Sequence, residues 1–222
     1  MPYFKNDNFN VLLIHIPKTG GTSIEHYFLK KMNFNISYKE LPHLDILFDD
    51  TETEYVNIFK KKYNIHSSLQ HMTYYQINNL YNELKIDDKN NLEIISVVRN
   101  PYDRIISDLF FFKLIEIDTT EETVYNIIIM FLSDIKYYDN HNLPQYQFLI
   151  DENGKIPDRI HIFKTETLTQ DLINYGYLDF NLNVLVNTKK SKEYSEYLNR
   201  HSIDVINEFY SKDFELFNYK KI

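Results

Sequence analysis

The chain has only four glycines among 222 residues, and two of them, Gly20 and Gly21, stand side by side. They follow an apolar run at 11–16 and precede Thr22 and Ser23. A short run of β-formers bounded by polar residues is typical of a buried parallel strand. Glycine allows the positive φ and the close backbone approach that a tight turn requires. The segment therefore predicts a strand, a glycine turn and the start of a helix.

A strand, turn and helix in this order can bind an anion. The free N–H groups and the positive end of the helix dipole both point at such a ligand. Thr22 and Ser23 add hydroxyl donors, and Lys18 adds a positive charge. An ordinary turn without a ligand is the alternative interpretation. The nucleotide P-loop has its lysine after the last glycine, whereas Lys18 precedes the pair, which disfavours an ATPase or GTPase.

A second segment with similar features begins after the apolar run at 94–98. Pro101 suits the first position of a helix, so we expect Arg99 to lie at the carboxyl end of a strand. Open α/β sheets bind ligands at this end of their strands. Ser107 follows two helical turns later. A surface helix with ion pairs is the alternative interpretation.

The rest of the chain alternates strand and helix patterns. A third strand is predicted at 159–163, and helices are predicted at 73–84, 119–138, 165–175 and from about 192 onward. The first two helices have capping-box patterns, Thr73 with Gln76 and Thr119 with Glu122. Gly176 is suited to ending the third. The alternation predicts a parallel sheet with helices on both faces, and the absence of repeats and linkers predicts a single domain over 1–222.

Composition excludes several classes of function. A net charge of −8 argues against binding nucleic acid or an anionic membrane, which depends on Lys and Arg. The absence of cysteine excludes disulfides, thiolate metal sites and cysteine nucleophiles. No apolar run approaches the roughly 18 residues of a membrane span, and the N-terminus has no secretory pattern. We therefore expect a cytosolic protein without a membrane anchor, of undetermined oligomeric state.

The segment from His15 to Ser23, His-x-Pro-Lys-Thr-Gly-Gly-Thr-Ser, resembles a known phosphosulfate-binding loop. It is similar to the 5′-phosphosulfate loop of sulfotransferases that use 3′-phosphoadenosine 5′-phosphosulfate (PAPS), in the branch that includes heparan sulfate 2-O-sulfotransferase. The resemblance implies a P-loop-like three-layer α/β sandwich with a central parallel sheet flanked by helices. It also implies that Lys18 stabilises the transferring group and that PAPS is bound by Lys18, Thr19, Gly20, Gly21, Thr22 and Ser23.

The second segment resembles the 3′-phosphate motif of the same family, Val-Arg-Asn-Pro-[Tyr/Phe/Leu]-[Asp/Glu]-Arg-x-x-Ser. By this resemblance Arg99 and Ser107 hold the 3′-phosphate that distinguishes PAPS from ATP. We expect Asp103 and Arg104 to be structural. The resemblance extends through most of the chain, but Lys189 stands where asparagine is usual, so cofactor contacts of Lys189, Lys190 and Ser191 stay open.

Transfer of a sulfuryl group to a hydroxyl also needs a general base, and histidine is the usual choice near neutral pH. Two histidines, His66 and His71, lie between the two motifs just before a capped helix. The stretch resembles the family pattern Lys-His-x-Thr-x-x-Glu-[Ile/Leu], which places its histidine on His71, although Gln70 stands where lysine is common. We expect His71 to be the base, with His66 as the second candidate and His15 supporting the loop.

These observations predict a PAPS-dependent sulfotransferase that requires no metal. Its partner is expected to be a hydroxyl acceptor, and the family resemblance favours a glycan. Two alternatives stay open at this point. One is a nucleotide phosphotransferase, a kinase that uses the same loop on ATP. The other is a catalytically silent nucleotide-binding protein.

Overall fold

The computed structural model describes residues 2–34, 53–87, 91–133, 138–181 and 193–222. Within them, four strands form one sheet in the order β1-β2-β3-β4. Their bounds are β1 Tyr3–Lys5, β2 Asn10–Ile14, β3 Glu93–Val98 and β4 Ile160–Lys164. Strands β2, β3 and β4 are parallel, and β1 is antiparallel to β2. The three predicted parallel strands are confirmed, with ends that differ by one or two residues.

The sheet also contains a strand that the sequence pattern did not indicate. Strand β1 has only three residues, too few to show the alternation of apolar and polar side chains that identifies a strand. A tight turn joins it to β2, in which the Asn6 N–H donates to the Phe9 carbonyl at 3.0 Å. The sheet is therefore mixed, with a parallel core and one antiparallel edge.

Nine α-helices surround this sheet in the described segments. In chain order they are α1 Gly21–Lys31, α2 Thr53–Lys62, α3 Tyr74–Asn78, α4 Pro101–Phe111, α5 Glu121–Ser133, α6 Gln145–Leu149, α7 Leu168–Tyr175, α8 Arg200–Phe209 and α9 Ser211–Leu216. None of them combines the length and the apolar character that crossing a membrane requires. Pro101 occupies the first turn of α4, as its fixed φ predicts.

The two faces of the sheet pack against different helices. Alternate strand residues point to opposite faces, and one face packs on α2, α3 and α6 through Leu12, Ile14, Ile94 and Val98. The other face packs on α1 and α7 through Val11, Leu13, Ile95 and Val97. A third apolar cluster joins α4, α5, α8 and α9. The molecule is thus an α/β fold with helices on both faces of its sheet.

The predicted capping box of α3 is confirmed, but the helix is shorter than expected. The Gln76 N–H donates to Thr73 Oγ1 at 3.3 Å, and the Thr73 N–H donates to Gln76 Oε1 at 2.9 Å. The helix ends at Asn78 rather than near residue 84, and the chain continues in turns up to Lys85, whose φ is 54°. Asparagine favours caps and turns over helix interiors, which explains the early end.

The start of two other helices also differs from the prediction. Thr120, not Thr119, caps α5, since its Oγ1 accepts from the Thr123 N–H at 3.3 Å. Helix α7 begins at Leu168 because the preceding residues, Thr165–Thr167, form a 3₁₀ turn. Gly176 ends this helix with a φ of 128°, as predicted. The acidic, Thr-rich stretch 45–54 also predicts a loop, and it lies almost wholly outside the described residues.

Candidate functional site

A cleft of about 500 Å³ opens where β2 and β3 end. Both sequence motifs reach it, together with the histidine segment that lies between them. The lining residues are His15, Pro17, Lys18, Gly20, Thr22, Ser23, Gln70, His71, Arg99, Ser107, Phe111, Phe112, Asp139 and His141. Segments that are far apart in sequence therefore converge on one site at the carboxyl ends of the parallel strands.

The two adjacent glycines are needed for different reasons. Gly20 caps α1 with a φ of 96°, in the left-handed region that favours glycine. Gly21 packs beneath His15, and a Cβ at this position would lie 2.5 Å from Cδ2 of that ring. His15 therefore supports the loop, as expected. In the first turn of α1 the Ser23 N–H donates to the Gly20 carbonyl at 3.0 Å. The N–H groups of Gly21 and Thr22 come before any intrahelical acceptor, so they are suited to an anion in the cleft.

Thr19 was expected to bind cofactor, but its side chain points into the protein. It is fully buried, and its Oγ1 donates to the Ile16 carbonyl at 2.8 Å. The hydroxyl of Thr165 lies 2.6 Å from the Thr19 carbonyl oxygen, which fixes the same turn from the other side. The Thr19 side chain thus stabilises the loop, while Lys18, Gly20, Thr22 and Ser23 face the cleft.

Lys18 supplies a positive charge inside the cleft. Its Nζ lies 4.3 Å from the centroid of the Phe111 ring, within the range of a cation–π contact. Burial lowers the pKa of Lys18, and although Asp108 opposes this effect, the charge of Arg99 adds to it. An anion beside the ammonium would favour its charged form, so this lysine is suited to bind one.

Arg99 connects the second motif to the first. Its main chain is held on both sides by Gln145, whose Oε1 accepts from the Arg99 N–H and whose Nε2 donates to the Arg99 carbonyl, each at 2.8 Å. Its Nη1 donates to the Lys18 carbonyl at 3.0 Å. A guanidinium has five N–H donors, so this contact leaves others for a ligand. Ser107, from α4, lines the same cleft.

Arg104 connects two of the segments that line the cleft. It is buried, and its guanidinium donates to the Pro17 carbonyl at 3.1 Å, to the Leu143 carbonyl at 2.9 Å and to the His141 carbonyl. It thereby joins the loop after β2 to the segment before α6. These contacts support the structural role that the sequence suggested for it.

His71 is the candidate base in the cleft. Its Nδ1 lies 2.8 Å from Oδ2 of Asp139. Burial lowers the pKa of His71 to about 4; the hydrogen bond that His71 donates to Asp139 opposes this shift, and the charges of His15 and His141 reinforce it. Burial of Asp139 disfavours its ionisation, but the contacts with His71 and with Ser68, whose N–H donates to Oδ1, outweigh this and hold its pKa at about 2. At neutral pH a neutral His71 therefore donates through Nδ1 to a carboxylate, which leaves a lone pair on Nε2.

Two other polar residues of this segment, His66 and Gln70, are not placed to act as a base in the cleft. His66 is exposed and does not line the cleft. Gln70 is buried, and its Nε2 donates to both carboxylate oxygens of Glu25, at 3.0 and 2.9 Å. The same carboxylate also contacts Nδ1 of His15. Gln70 is thus part of the support around the loop and adds no charge where the family commonly has lysine.

Sequence reasoning missed two ionisable residues that line the cleft, Asp139 and His141. They lie in the short connection between α5 and α6, where Asp139 and Asn140 have φ values of 50° and 65°. Asp and Asn tolerate this left-handed conformation, so their adjacency was the one available signal, and it indicated a turn rather than a site. Possible ligand atoms of His71, Asp139 and His141 lie within 4.8 Å of one another, close enough to hold a metal ion after small adjustments.

A ligand cleft at the carboxyl ends of parallel strands, behind a glycine turn, defines an α/β protein of the kind that binds anionic ligands at a sheet edge. A family model described as the sulfotransferase family matches residues 1–220. The chain therefore belongs to the sulfotransferase family and is a transferase. No curated protein and no solved structure matched it. Residues 189–191, whose role the sequence left open, lie outside the described segments.

The burial of His71 beside the carboxylate of Asp139 predicts an unusual titration. We expect the imidazole of His71 to take up a proton with a midpoint near pH 4, because burial and the neighbouring imidazoles disfavour its charged form. NMR titration of the histidine ring protons measures this midpoint, with the signal assigned by its loss in His71→Gln. A midpoint near 6.5, the ordinary value for histidine, would contradict the geometry of the pair.

Proposed function

We propose that this protein is a sulfotransferase that moves the sulfuryl group of PAPS to a hydroxyl acceptor. One observation carries the proposal. The Lys18 loop, the Arg99–Ser107 segment and His71 were selected from three separate stretches of sequence, and all three line the same cleft. Family membership supports sulfuryl transfer in general. The proposal adds the donor, the base and the acceptor class.

The residues of the cleft fit the chemistry of this donor. A volume of about 500 Å³ is within the usual range for a nucleotide-sized ligand. We assign the 5′-phosphosulfate to the loop donors, which are the N–H groups of Gly21 and Thr22 with the hydroxyls of Thr22 and Ser23. We assign the 3′-phosphate to Arg99 and Ser107, a charged fork and a neutral donor. PAPS, when bound, supplies the activated sulfuryl group.

The protein's own groups then act on the acceptor and on the developing charge. The acceptor hydroxyl donates to Nε2 of His71 and passes its proton there as its oxygen attacks the sulfur. Asp139, already bound to Nδ1, stabilises the resulting imidazolium. Lys18 and the start of α1 stabilise the negative charge that develops on the leaving phosphate oxygen. Positioning of the reactants and electrostatic stabilisation supply most of the rate acceleration in such an in-line transfer.

The acceptor is proposed to be a carbohydrate, on the resemblance of the loop to the branch that includes heparan sulfate 2-O-sulfotransferase. The acidic net charge of −8 supports an acceptor other than nucleic acid. We further propose that the chain acts as one domain in the cytosol. The activity needs no metal in this proposal, since Lys18 and the helix start provide the stabilising charge.

The donor assignment predicts a specific order of ligand affinities. Adenosine 3′,5′-bisphosphate should raise the melting temperature more than ADP does, with or without Mg²⁺, because only the bisphosphate has a 3′-phosphate for Arg99 and Ser107. Thermal-shift titration measures this. Equal or greater stabilisation by ADP, or a requirement for Mg²⁺, would instead favour a nucleotide phosphotransferase. No stabilisation by any of these ligands would favour a protein without nucleotide binding.

Replacement of the arginine tests the 3′-phosphate site directly. Arg99→Ala should weaken binding of adenosine 3′,5′-bisphosphate by about 10- to 100-fold, since hydrogen bonds to charged groups contribute about 1.5–3 kcal/mol. Adenosine 5′-phosphosulfate, which lacks the 3′-phosphate, should lose far less. Calorimetry on both ligands gives the comparison. Equal losses would remove the assignment and leave Arg99 as a brace for the Lys18 carbonyl.

Replacement of the base separates catalysis from binding. His71→Ala should lower turnover of PAPS by about 10²- to 10⁴-fold, the usual contribution of a general base, while bisphosphate binding stays nearly unchanged. His66→Ala is the matched control, because this histidine is exposed outside the cleft. Unchanged turnover in His71→Ala would assign the base elsewhere, and loss in both variants would indicate a general effect on folding.

A further inference from the structure

Three imidazoles line the cleft. His71 is the proposed base and His15 supports the loop above Gly21, but His141 has no part in the proposed reaction. Its ring centroid lies 5.1 Å from that of His71, and the two ring planes meet at 89°. Both residues line the cleft. His141 comes from the connection before α6, whereas His71 comes from the segment before α3. Two imidazoles in edge contact are therefore presented to the same ligand.

The two imidazoles are bound in the same way. Nδ1 of His71 contacts Asp139 at 2.8 Å, and Nδ1 of His141 contacts Asp108 at 2.6 Å. In a neutral imidazole whose Nδ1–H donates to a carboxylate, Nε2 is a hydrogen-bond acceptor. Neither Nε2 has a hydrogen-bonding partner among the residues that the structure describes. A ring nitrogen of His71 and a ring nitrogen of His141 lie within 4.8 Å of each other, so one ligand can reach both.

The ring of His141 is held by two aromatic contacts and by a hydrogen bond to a carboxylate. Its ring stacks on Phe111, with centroids 5.1 Å apart and planes at 9°, and meets Phe112 edge-on at 4.8 Å. Asp108, whose carboxylate contacts Nδ1 of His141, is fully buried. The backbone carbonyl of His141 accepts a hydrogen bond from Arg104. A side chain held from three directions with one nitrogen free is suited to selecting a ligand group.

We propose that His141 binds a second hydroxyl of the acceptor, so that the cleft selects compounds with two neighbouring hydroxyl groups. One hydroxyl donates to His71 and is sulfated, and the adjacent one donates to His141. A hydrogen bond of this kind spans about 2.8 Å, so rings in contact can each reach one member of such a pair. This inference rests on the proposed function and deepens it, because it names vicinal diols, including sugars, as the acceptor class.

The proposal separates classes of acceptor. A compound with a single hydroxyl, such as a simple alcohol or phenol, leaves Nε2 of His141 without a hydrogen-bonding partner. A buried polar group without a partner lowers the affinity for that compound. We expect such compounds to bind about 10- to 100-fold less tightly than a matched diol. A hydrophobic contact with the rings would give no such preference, since both kinds of compound offer it.

The test uses trans-cyclohexane-1,2-diol and cyclohexanol as probes of the protein saturated with adenosine 3′,5′-bisphosphate, with EDTA present to remove metal ions. NMR of the ¹⁵N-labelled imidazoles reports each Nε2. The diol should shift the Nε2 signals of both His71 and His141, and cyclohexanol should shift that of His71 alone. Equal responses to the two probes, or no response at His141, would overturn the proposal.

Variants provide a second readout. His141→Ala should reduce the preference for the diol to nearly none, His141→Gln should retain part of it through its amide oxygen, and His161→Ala, an exposed histidine on β4, should behave as wild type. A preference that survives in His141→Ala would overturn the proposal. If His141→Ala does not fold, the NMR experiment on the wild-type protein decides alone.

The two proposals can fail separately. Titration of the bisphosphate is measured first, and lack of binding counts against the proposed function. The diol and cyclohexanol are then also compared on the protein without nucleotide. Tight bisphosphate binding with no diol preference would remove the role of His141 and leave sulfuryl transfer intact.

Discussion

The parallel pairing of β2 with β3 is the constraint on which the site depends. It sets Ile14 beside Ser96, and the Ser96 hydroxyl donates to the Ile14 carbonyl at 2.8 Å. Both strands then end at the same edge of the sheet, so the loop that carries Lys18 and the turn that carries Arg99 emerge side by side. The hydrogen bond from Arg99 Nη1 to the Lys18 carbonyl, at 3.0 Å, joins these two segments.

Buried polar groups keep this edge in one arrangement. Arg104 is almost wholly inaccessible, yet its guanidinium is hydrogen-bonded to three carbonyls, which offsets the cost of removing its charge from water. Three imidazoles, His15, His71 and His141, are each bound at Nδ1 by a carboxylate. This common pattern fixes the orientations of the three rings.

Much of the fold could be predicted because its signals are local. Strands β2 and β3 are apolar runs, Thr73 and Gln76 form the predicted capping box, and Pro101 begins α4 where its fixed φ fits. The errors were also local in origin. Strand β1 is too short to show a period, and Asn78 ends α3 early because asparagine favours turns. Where the local preference for strand, helix or turn is weak, packing against the rest of the chain decides the structure, and the sequence of one segment does not contain that information.

The sequence by itself determined the class of the protein and most groups that face its cleft, because a glycine turn after a strand and an arginine at a strand end have chemical meaning in isolation. Only the tertiary structure shows which of the two candidate histidines lies in the cleft. His66 and His71 are five positions apart, but His71 alone meets Asp139, a residue 68 positions further along the chain. Likewise, Thr19 belongs to the loop motif but points inward, and His141 joins the cleft from a turn without a motif. The direction of a side chain and its distant partners depend on the packing of the whole chain, which is why these features could not be predicted from the sequence.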